Sequence, residues 1–273
     1  KIILGKKEKL KYLRQQKIKI MDKINNSDKF LAQDNLYYFP YHYLPTKTAS
    51  NIIKPFKVYH WLYDYILMID FIKSKIFNLS PSTVLDFGCG DGRLLFELKS
   101  EKKNQYFGYE ISKRAKMLFN AFNPDIKLIS ELQDLKNYNN FFDVITFSEV
   151  IEHIPENEIK LNVDVIYSIL KKNGTLIVTA PHENIPVHKK HYRHYNLNSL
   201  AQNFPEDKYE IIEKKFLFKK ENNFTSILRK IFFNRYFIIN SNLMHKIYYT
   251  YKKKFLFTDE KKSQTILLIY KKK

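Results

Sequence analysis

Residues 84–95, VLDFGCGDGRLL, set three glycines at alternate positions, Gly88, Gly90 and Gly92, between one short apolar run and the start of another. Glycine tolerates positive φ and lets other atoms come close to the backbone. A strand that runs into such a loop and leaves it as a helix is a unit of α/β architecture. No other stretch narrows the choice of fold as far.

The surrounding sequence repeats the pattern. Residues 84–87 read as a strand, 93–99 as a helix, 106–110 as a strand and 113–122 as a helix. A short strand at 127–129, a strand at 143–147, a helix at 156–171 and a strand at 175–179 follow. Strands that alternate with helices pair in parallel, which predicts a doubly wound α/β sheet. Two further strands are expected at 209–218 and 264–270, separated by about 45 aromatic, basic and largely helical residues, too many for a hairpin loop. Ahead of the glycine loop, 1–30 read as a basic helix, 34–55 as an irregular arm rich in Pro and Tyr, and 56–77 as an apolar helix covering the sheet. The expected division is a basic N-terminal helix and arm over 1–55, a core over 56–218, and a basic aromatic insertion with the last core strand over 219–273.

In an open parallel sheet, ligands bind beyond the carboxyl ends of the strands. Three ligands suit a glycine loop there. A phosphate loop needs Lys and Ser or Thr after its last glycine, and Arg93-Leu94 stand in that place. A dinucleotide site needs G-x-G-x-x-G, which the spacing here fits poorly. S-adenosylmethionine has no phosphate but carries an ammonium, a carboxylate, a sulfonium and a ribose. Asp86 ahead of the glycines suits the positive end, and helix N-terminal amides suit the carboxylate. Glu110 ends the second strand, 20 residues after Gly90, where its two oxygens can accept from ribose hydroxyls. ISELQDL (129–135) offers Glu131 and Leu132 to edge and cover an adenine.

These residues carry a resemblance. VLDFGCGDG, FGYEIS, FDVITFSEVIEHI and LKKNGTLIVTAP, in that order and spacing, resemble the core motifs of class I S-adenosylmethionine-dependent methyltransferases over 84–180. The resemblance implies a mostly parallel, seven-stranded, Rossmann-like sheet with an N-terminal helical arm and a helical insertion between the last two strands. It implies cofactor contacts from Asp86, Gly88, Cys89, Gly90, Glu110, Glu131, Leu132 and Ser148. Cys89 enters as a small residue that fits the loop, not as a redox group. Ser130-Glu131 stand where the family has Gly-Asp.

Methyl transfer to oxygen or nitrogen can call for a base. Glu149, Glu152 and His153 follow the fourth strand at i, i+3 and i+4, and share one side if a helical turn begins there. HENIPVHKKHYRHY (182–195), after the fifth strand, contains His182, His188, His191 and His194, half of the chain's 8 histidines. Neighbouring strands bring the two segments together, so His153, His191 and His194 are the candidate bases. Tyr192, Arg193 and Tyr195 either contact an anionic or sugar-like acceptor or pack. Two carboxylates and two imidazoles also form a donor set for Mg²⁺, Mn²⁺ or Zn²⁺. Glu-x-x-Glu-His resembles the small-RNA 3′-terminal 2′-O-methyltransferases and the ubiquinone-pathway O-methyltransferases. That resemblance implies Glu149, Glu152, His153 and either His191 or His194 as metal ligands. The RNA enzymes follow the late His with a Phe-Glu-Trp-like stretch, whereas Tyr-Asn-Leu follows His194 here.

The net charge of +19 is unevenly spread. Residues 1–60 hold 13 Lys and Arg against 4 Asp and Glu, and 219–273 hold 14 against 3, while 61–218 hold 20 against 21. Basic flanks suit a membrane surface or a nucleic acid, although codon bias also enriches lysine. With one cysteine, Cys89, no internal disulfide can form, and no run of 18 apolar residues occurs. No signal-peptide pattern is seen. The expectation is a cytoplasmic protein with peripheral contact at the inner face of a membrane. FPYHYLP, GCGDGR, APHENIPVHKKHYRHY and NRYFI together resemble bacterial methyltransferases of cell-surface glycan or lipid-linked sugar pathways. The expected reaction is O-methylation of a small sugar-like or lipid-linked acceptor. The alternatives are metal-dependent 2′-O-methylation of RNA and a non-catalytic cofactor-binding module docked on membrane or nucleic acid. Leu228, Ile231, Phe232, Phe237 and Ile238, beside Arg229, Lys230 and Arg235, read as an interfacial helix or as a lid on the core.

Overall fold

The computed structural model describes residues 28–35, 37, 46–47, 53–54, 61–79, 82–219 and 241–273. The expectations for 1–27, for FPYHYLP and for 228–238 lie outside the described residues. Seven strands form the central sheet: β1 (Thr83–Phe87), β2 (Gln105–Tyr109), β3 (Lys127–Ile129), β4 (Phe142–Ser148), β5 (Leu170–Pro181), β6 (Tyr209–Leu217) and β7 (Thr265–Lys272). Their order is β3-β2-β1-β4-β5-β7-β6, and only β7 runs antiparallel to its neighbours. This is the doubly wound α/β sheet that the alternation predicts, in the mostly parallel, seven-stranded, Rossmann-like form that the resemblance implies.

Among the described residues, six helices accompany the sheet: α1 (Trp61–Phe77), α2 (Arg93–Leu98), α3 (Lys113–Phe122), α4 (Glu156–Ile169), α5 (Leu197–Ala201) and α6 (Ser241–Phe255). A short helix at 28–34 precedes them, and two two-residue strands, Thr46–Lys47 and Ile53–Lys54, pair antiparallel inside the arm.

The period-two burial of the strands sorts them between two faces. Val84, Val144 and Ile177 face Ile72 and Ile76 of α1, Leu95 of α2 and Phe119 of α3. Leu85, Ile145, Leu176 and Leu268 face Ile159, Val163 and Ile166 of α4, and Leu200 of α5. α6 lies on α1, with the Tyr248 and Tyr251 hydroxyls donating to Asp70 and Asp64, each at 2.8 Å. The described part of the insertion thus packs Tyr248 and Tyr251 on the core, while Tyr249 stays exposed.

The junction of α4 and β5 differs most from expectation. β5 runs the length of Leu170–Pro181, because Leu170 pairs with Phe142 and β7 pairs along Thr175–Pro181. α4 ends at Ile169, since Leu170 is already extended. Successive connections leave β1 and β4 in opposite directions, so the topological switch lies between them, where open α/β sheets bind ligands.

Candidate active site

The glycine loop follows β1 at that switch. Gly88, Gly90 and Gly92 have φ of 81°, 57° and 80°. The Gly88 and Cys89 amides both donate to the Tyr109 carbonyl, at 2.8 and 2.9 Å, which hooks the loop onto the end of β2. A β-carbon on Gly90 would lie 2.9 Å from the Tyr37 hydroxyl, which would have to shift, and the positive φ itself favours glycine. The Cys89 thiol is buried and its pKa is driven up by that burial and by the carboxylates around it. Its sulfur packs over Gly108, in keeping with a space-filling role.

Asp86 is 5% exposed. Burial raises its pKa to about 7, opposed by the Thr146 hydroxyl that donates to it at 2.6 Å and reinforced by the charge of Glu110. Glu110 collects three backbone donors: Gly90 N on Oε2 at 2.9 Å, and Ile111 N and Ser112 N on Oε1 at 2.8 and 2.7 Å. Burial still pushes its pKa up. One acceptor position stays open on Oε2. Ser148 shares a 2.8 Å hydrogen bond with Thr179.

Two chambers meet at this loop. One, of roughly 540 Å³, is lined by Glu110, Ile111, Leu132, Val150 and Tyr192. The other, of roughly 380 Å³, is lined by Asp86, Cys89, Gly90, Ser148, Glu152, His188, His191 and His194. Gln33, Tyr37, Gly88, Glu149, His153 and Lys190 line both and form the neck between them. Glu131 lines neither chamber: it is exposed at the start of a 3₁₀ turn over Leu132–Tyr138. His182 is buried against Phe216 and accepts from Asn184 N through Nδ1.

The acidic and histidine segments do meet. Glu149 leaves β4 with φ of 56°, a left-handed backbone uncommon outside glycine. Its amide is held by the Thr179 carbonyl at 3.0 Å. A 3₁₀ turn, Ile151–His153, places Glu152 and His153 beside His191. His194 Nδ1 faces the Ile185 carbonyl at 3.0 Å, so it carries the proton. His194 Nε2 then accepts from His191 Nδ1 at 2.8 Å, which leaves His191 Nε2 bare. His153 Nδ1 likewise faces the Lys190 carbonyl at 3.2 Å, and its bare Nε2 lies 3.7 Å from Glu152 Oε1.

Burial keeps this cluster short of charge. It lowers His153 to about 3 and His191 to about 2, with neighbouring cations adding to the effect, and it lowers His194. It raises Glu149 and Glu152, the latter also through the charge of Glu149. Lys190 is lowered by burial too, though both carboxylates oppose the shift. Glu149 Oε1 and Glu152 Oε2 are buried with no hydrogen-bond partner among the described residues. Arg193 is spent on structure, bonding the Ile154 carbonyl at 2.9 Å and Glu156 at 3.0 Å, and Tyr195 is buried.

A methyltransferase-domain family matches residues 55–216. The chain belongs to that family. It is thus an S-adenosylmethionine-dependent methyltransferase of the class I superfamily. No curated protein matches it. Among solved structures, this methyltransferase is similar to a SAM-dependent methyltransferase from Archaeoglobus fulgidus, with a TM-score of 0.52, 16% identity, 78% of this chain covered and 100% of the other. The PH0226 protein from Pyrococcus horikoshii gives a TM-score of 0.53 at 14% identity, covering 86% of this chain and 100% of the other. The methyltransferase domain of bacterial CtHen1-C gives 0.50 at 17%, covering 76% and 98%. At these identities the likeness is one of fold.

S-adenosylmethionine is the cofactor of the family, and the methyltransferase's crevice fits it. In the loop next to Asp86 a β-carbon at Gly90 would displace the Tyr37 hydroxyl, Glu110 retains an open acceptor position, and the Gln33 carbonyl oxygen is buried with no partner among the described residues. Sequence reasoning missed Ile111, Val150, Gln33, Tyr37 and Lys190. Ile111, 54% exposed beside Glu110, had only its place after the second strand as a signal.

Proposed function

We propose that this methyltransferase acts on a hydroxyl oxygen of a small, sugar-like or lipid-linked acceptor, with His153 or His191 as the proton-accepting side chain. The observation that supports this reading is the pair of bare, neutral Nε2 atoms beside the glycine loop. When bound, the cofactor supplies a methyl group made electrophilic by its sulfonium. Asp86 and the Gly88–Gly90 backbone hold the aminoacyl end. Glu110 takes one ribose hydroxyl on Oε2, and Ile111 with Leu132 flanks the adenine. Either His153 or His191 receives the acceptor's single proton as the methyl–sulfonium bond breaks. Glu152, 3.7 Å from His153 Nε2, stabilises the imidazolium that burial otherwise disfavours. His194, with both ring nitrogens engaged, orients His191. Lys190 faces the two carboxylates and offsets part of their charge.

The test is mass spectrometry of cell extracts incubated with methyl-labelled cofactor, which should reveal one labelled glycan or lipid-linked sugar. His153→Ala or His191→Ala should lower its formation by about 10²-fold or more, and both should leave S-adenosylhomocysteine affinity within about twofold. Label on protein or RNA alone would refute the acceptor class.

A second reading has its own support. One ligand atom each from Glu152, His153 and His191 lie within 4.8 Å of one another, a cluster that includes neither Glu149 nor His194. These residues fit Mn²⁺ or Mg²⁺, which would neutralise the buried carboxylate and polarise an acceptor hydroxyl. The acceptor would then be the 2′-hydroxyl of an RNA held by the basic flanks. Activity abolished by EDTA and restored by Mn²⁺, with labelled RNA, supports it, and methylation that survives EDTA refutes it. A chain that binds the cofactor product but labels nothing in any extract would be the non-catalytic module.

The proposed location is cytoplasmic, at the inner face of a membrane when the acceptor is lipid-linked. No helix among the described residues is long and apolar enough to cross one. The proposed division keeps 56–218 as the cofactor-binding core, with basic segments over 1–55 and 219–273.

A further inference from the structure

The neck between the two chambers has a floor and a roof from distant parts of the chain. Gly88 and the exit of β4 form the floor, and Gln33 and Tyr37 form the roof. The roof segment is fastened on both banks of the crevice. On the ribose bank, Asp34 accepts from the Ser112 hydroxyl and pairs with Arg114 at 3.3 Å. On the histidine bank, Lys29 donates to the His191 carbonyl at 2.9 Å and lies 5.1 Å from the Tyr192 ring centroid. Between the fastenings, Tyr37 lies against Gly90, and Gln33 Nε2 donates to the Tyr37 hydroxyl at 3.3 Å. Gln33 lines both chambers, and with Nε2 on Tyr37 its Oε1 is buried with no partner among the described residues. A buried carbonyl without a donor is costly unless a ligand brings one. One of the chambers that Gln33 lines also holds Asp64 and Asp86, a setting for a cation.

We propose that residues 28–37 are a cofactor-binding strap. Gln33 Oε1 accepts a hydrogen bond from the ammonium of the cofactor's aminoacyl tail, Tyr37 covers that tail over Gly90, and Lys29 and Asp34 are the tethers. The inference rests on the cofactor reading of the crevice and adds a binding contact from outside the glycine-loop motifs.

Calorimetry on the full chain tests it with two probes, S-adenosylhomocysteine and 5′-methylthioadenosine, which lacks the aminoacyl tail. Gln33→Leu should weaken S-adenosylhomocysteine by about 10-fold or more and methylthioadenosine by less than about twofold. Gln33→Glu, which presents a carboxylate to the ammonium, should bind S-adenosylhomocysteine as tightly as the wild type or more tightly. Hydrogen exchange of the wild type supplies a readout free of mutation: amides of 29–35 should slow when S-adenosylhomocysteine is added. Equal affinity of Gln33→Leu and wild type, equal loss for both probes, loss in Gln33→Glu matching that in Gln33→Leu, or unchanged exchange at 29–35 would each overturn the strap while leaving the cofactor site standing. A wild-type protein that takes up neither probe would overturn the cofactor reading and the strap with it.

Discussion

Asp86 sits between Thr146 and the field of Glu110, and burial lifts its pKa from 3.8 to about 7. Below both values the carboxyl is neutral in the folded and unfolded chain and costs nothing. As pH rises through that interval, the unfolded chain releases a proton that the folded one retains. Stability therefore falls with rising pH, by up to roughly 4 kcal/mol at about 1.36 kcal/mol per unit. Asp86→Asn keeps an acceptor for Thr146 and removes this cost. Its urea midpoint should gain on the wild type between about pH 4 and pH 7, and a pH-independent difference would contradict the assignment. A cation arriving beside Asp86 should draw its pKa down, so S-adenosylhomocysteine binding near neutral pH should release a proton, read by calorimetry in buffers of different ionisation enthalpy. The strand exit that brings Asp86, the three glycines and Glu110 together was legible, because glycines after a short apolar run mark a turn with positive φ. Glu131, expected at the adenine, stands exposed at the start of a 3₁₀ turn and makes no capping hydrogen bond, because an acid after a short edge strand sits at a turn as readily as it faces a ligand. Gln33 and Tyr37 were invisible: nothing near them in sequence says that they meet Gly90.

Ser112 shows how one side chain serves two elements. Its hydroxyl oxygen accepts from Ala115 N at 3.1 Å as the N-cap of α3, while its proton goes to Asp34. Ser112→Ala should cost about 1 kcal/mol of stability by chemical denaturation and also speed hydrogen exchange at 29–35. Ser112→Asp restores the cap acceptor but sets a carboxylate against Asp34. It should return to near wild-type stability with the exchange still fast, and slow exchange in both variants would show that this tether holds nothing. Strand and helix identities in the core were readable because apolar periodicity switches cleanly between glycine and capping signals. The ends of β5 were not, because its extension depends on pairing with β7, whose partner choice no local pattern reveals. The chain from Glu149 to His153 was expected to bring Glu149, Glu152 and His153 to one side if a helical turn began there. It is a left-handed residue followed by a 3₁₀ turn, and that geometry still brings His153 to His191.

Over the whole molecule, the basic excess lies in the two flanks, and only part of those flanks is described. In α6 the last turn carries Lys252, Lys253 and Lys254, all exposed, while Tyr248 packs on α1. The proposed anionic surface therefore predicts that vesicles rich in phosphatidylserine carry the protein upward in a density gradient at about 0.05 M salt and lose it at about 0.5 M. Flotation that is indifferent to salt or to lipid charge would point to lysine enrichment without a partner. Overall fold was legible because alternation of strands and helices is a repeated signal. The acceptor was not, because the same crevice serves any nucleophile of suitable size. The tethers of the 28–37 strap bear on biosynthesis. Lys29 waits for a partner 162 positions further on, and Asp34 for one 78 further on. During translation, a ribosome must therefore thread out most of the polypeptide before the earliest of these residues can settle, so a nascent chain released short of His191 is left with a gaping nucleoside cleft.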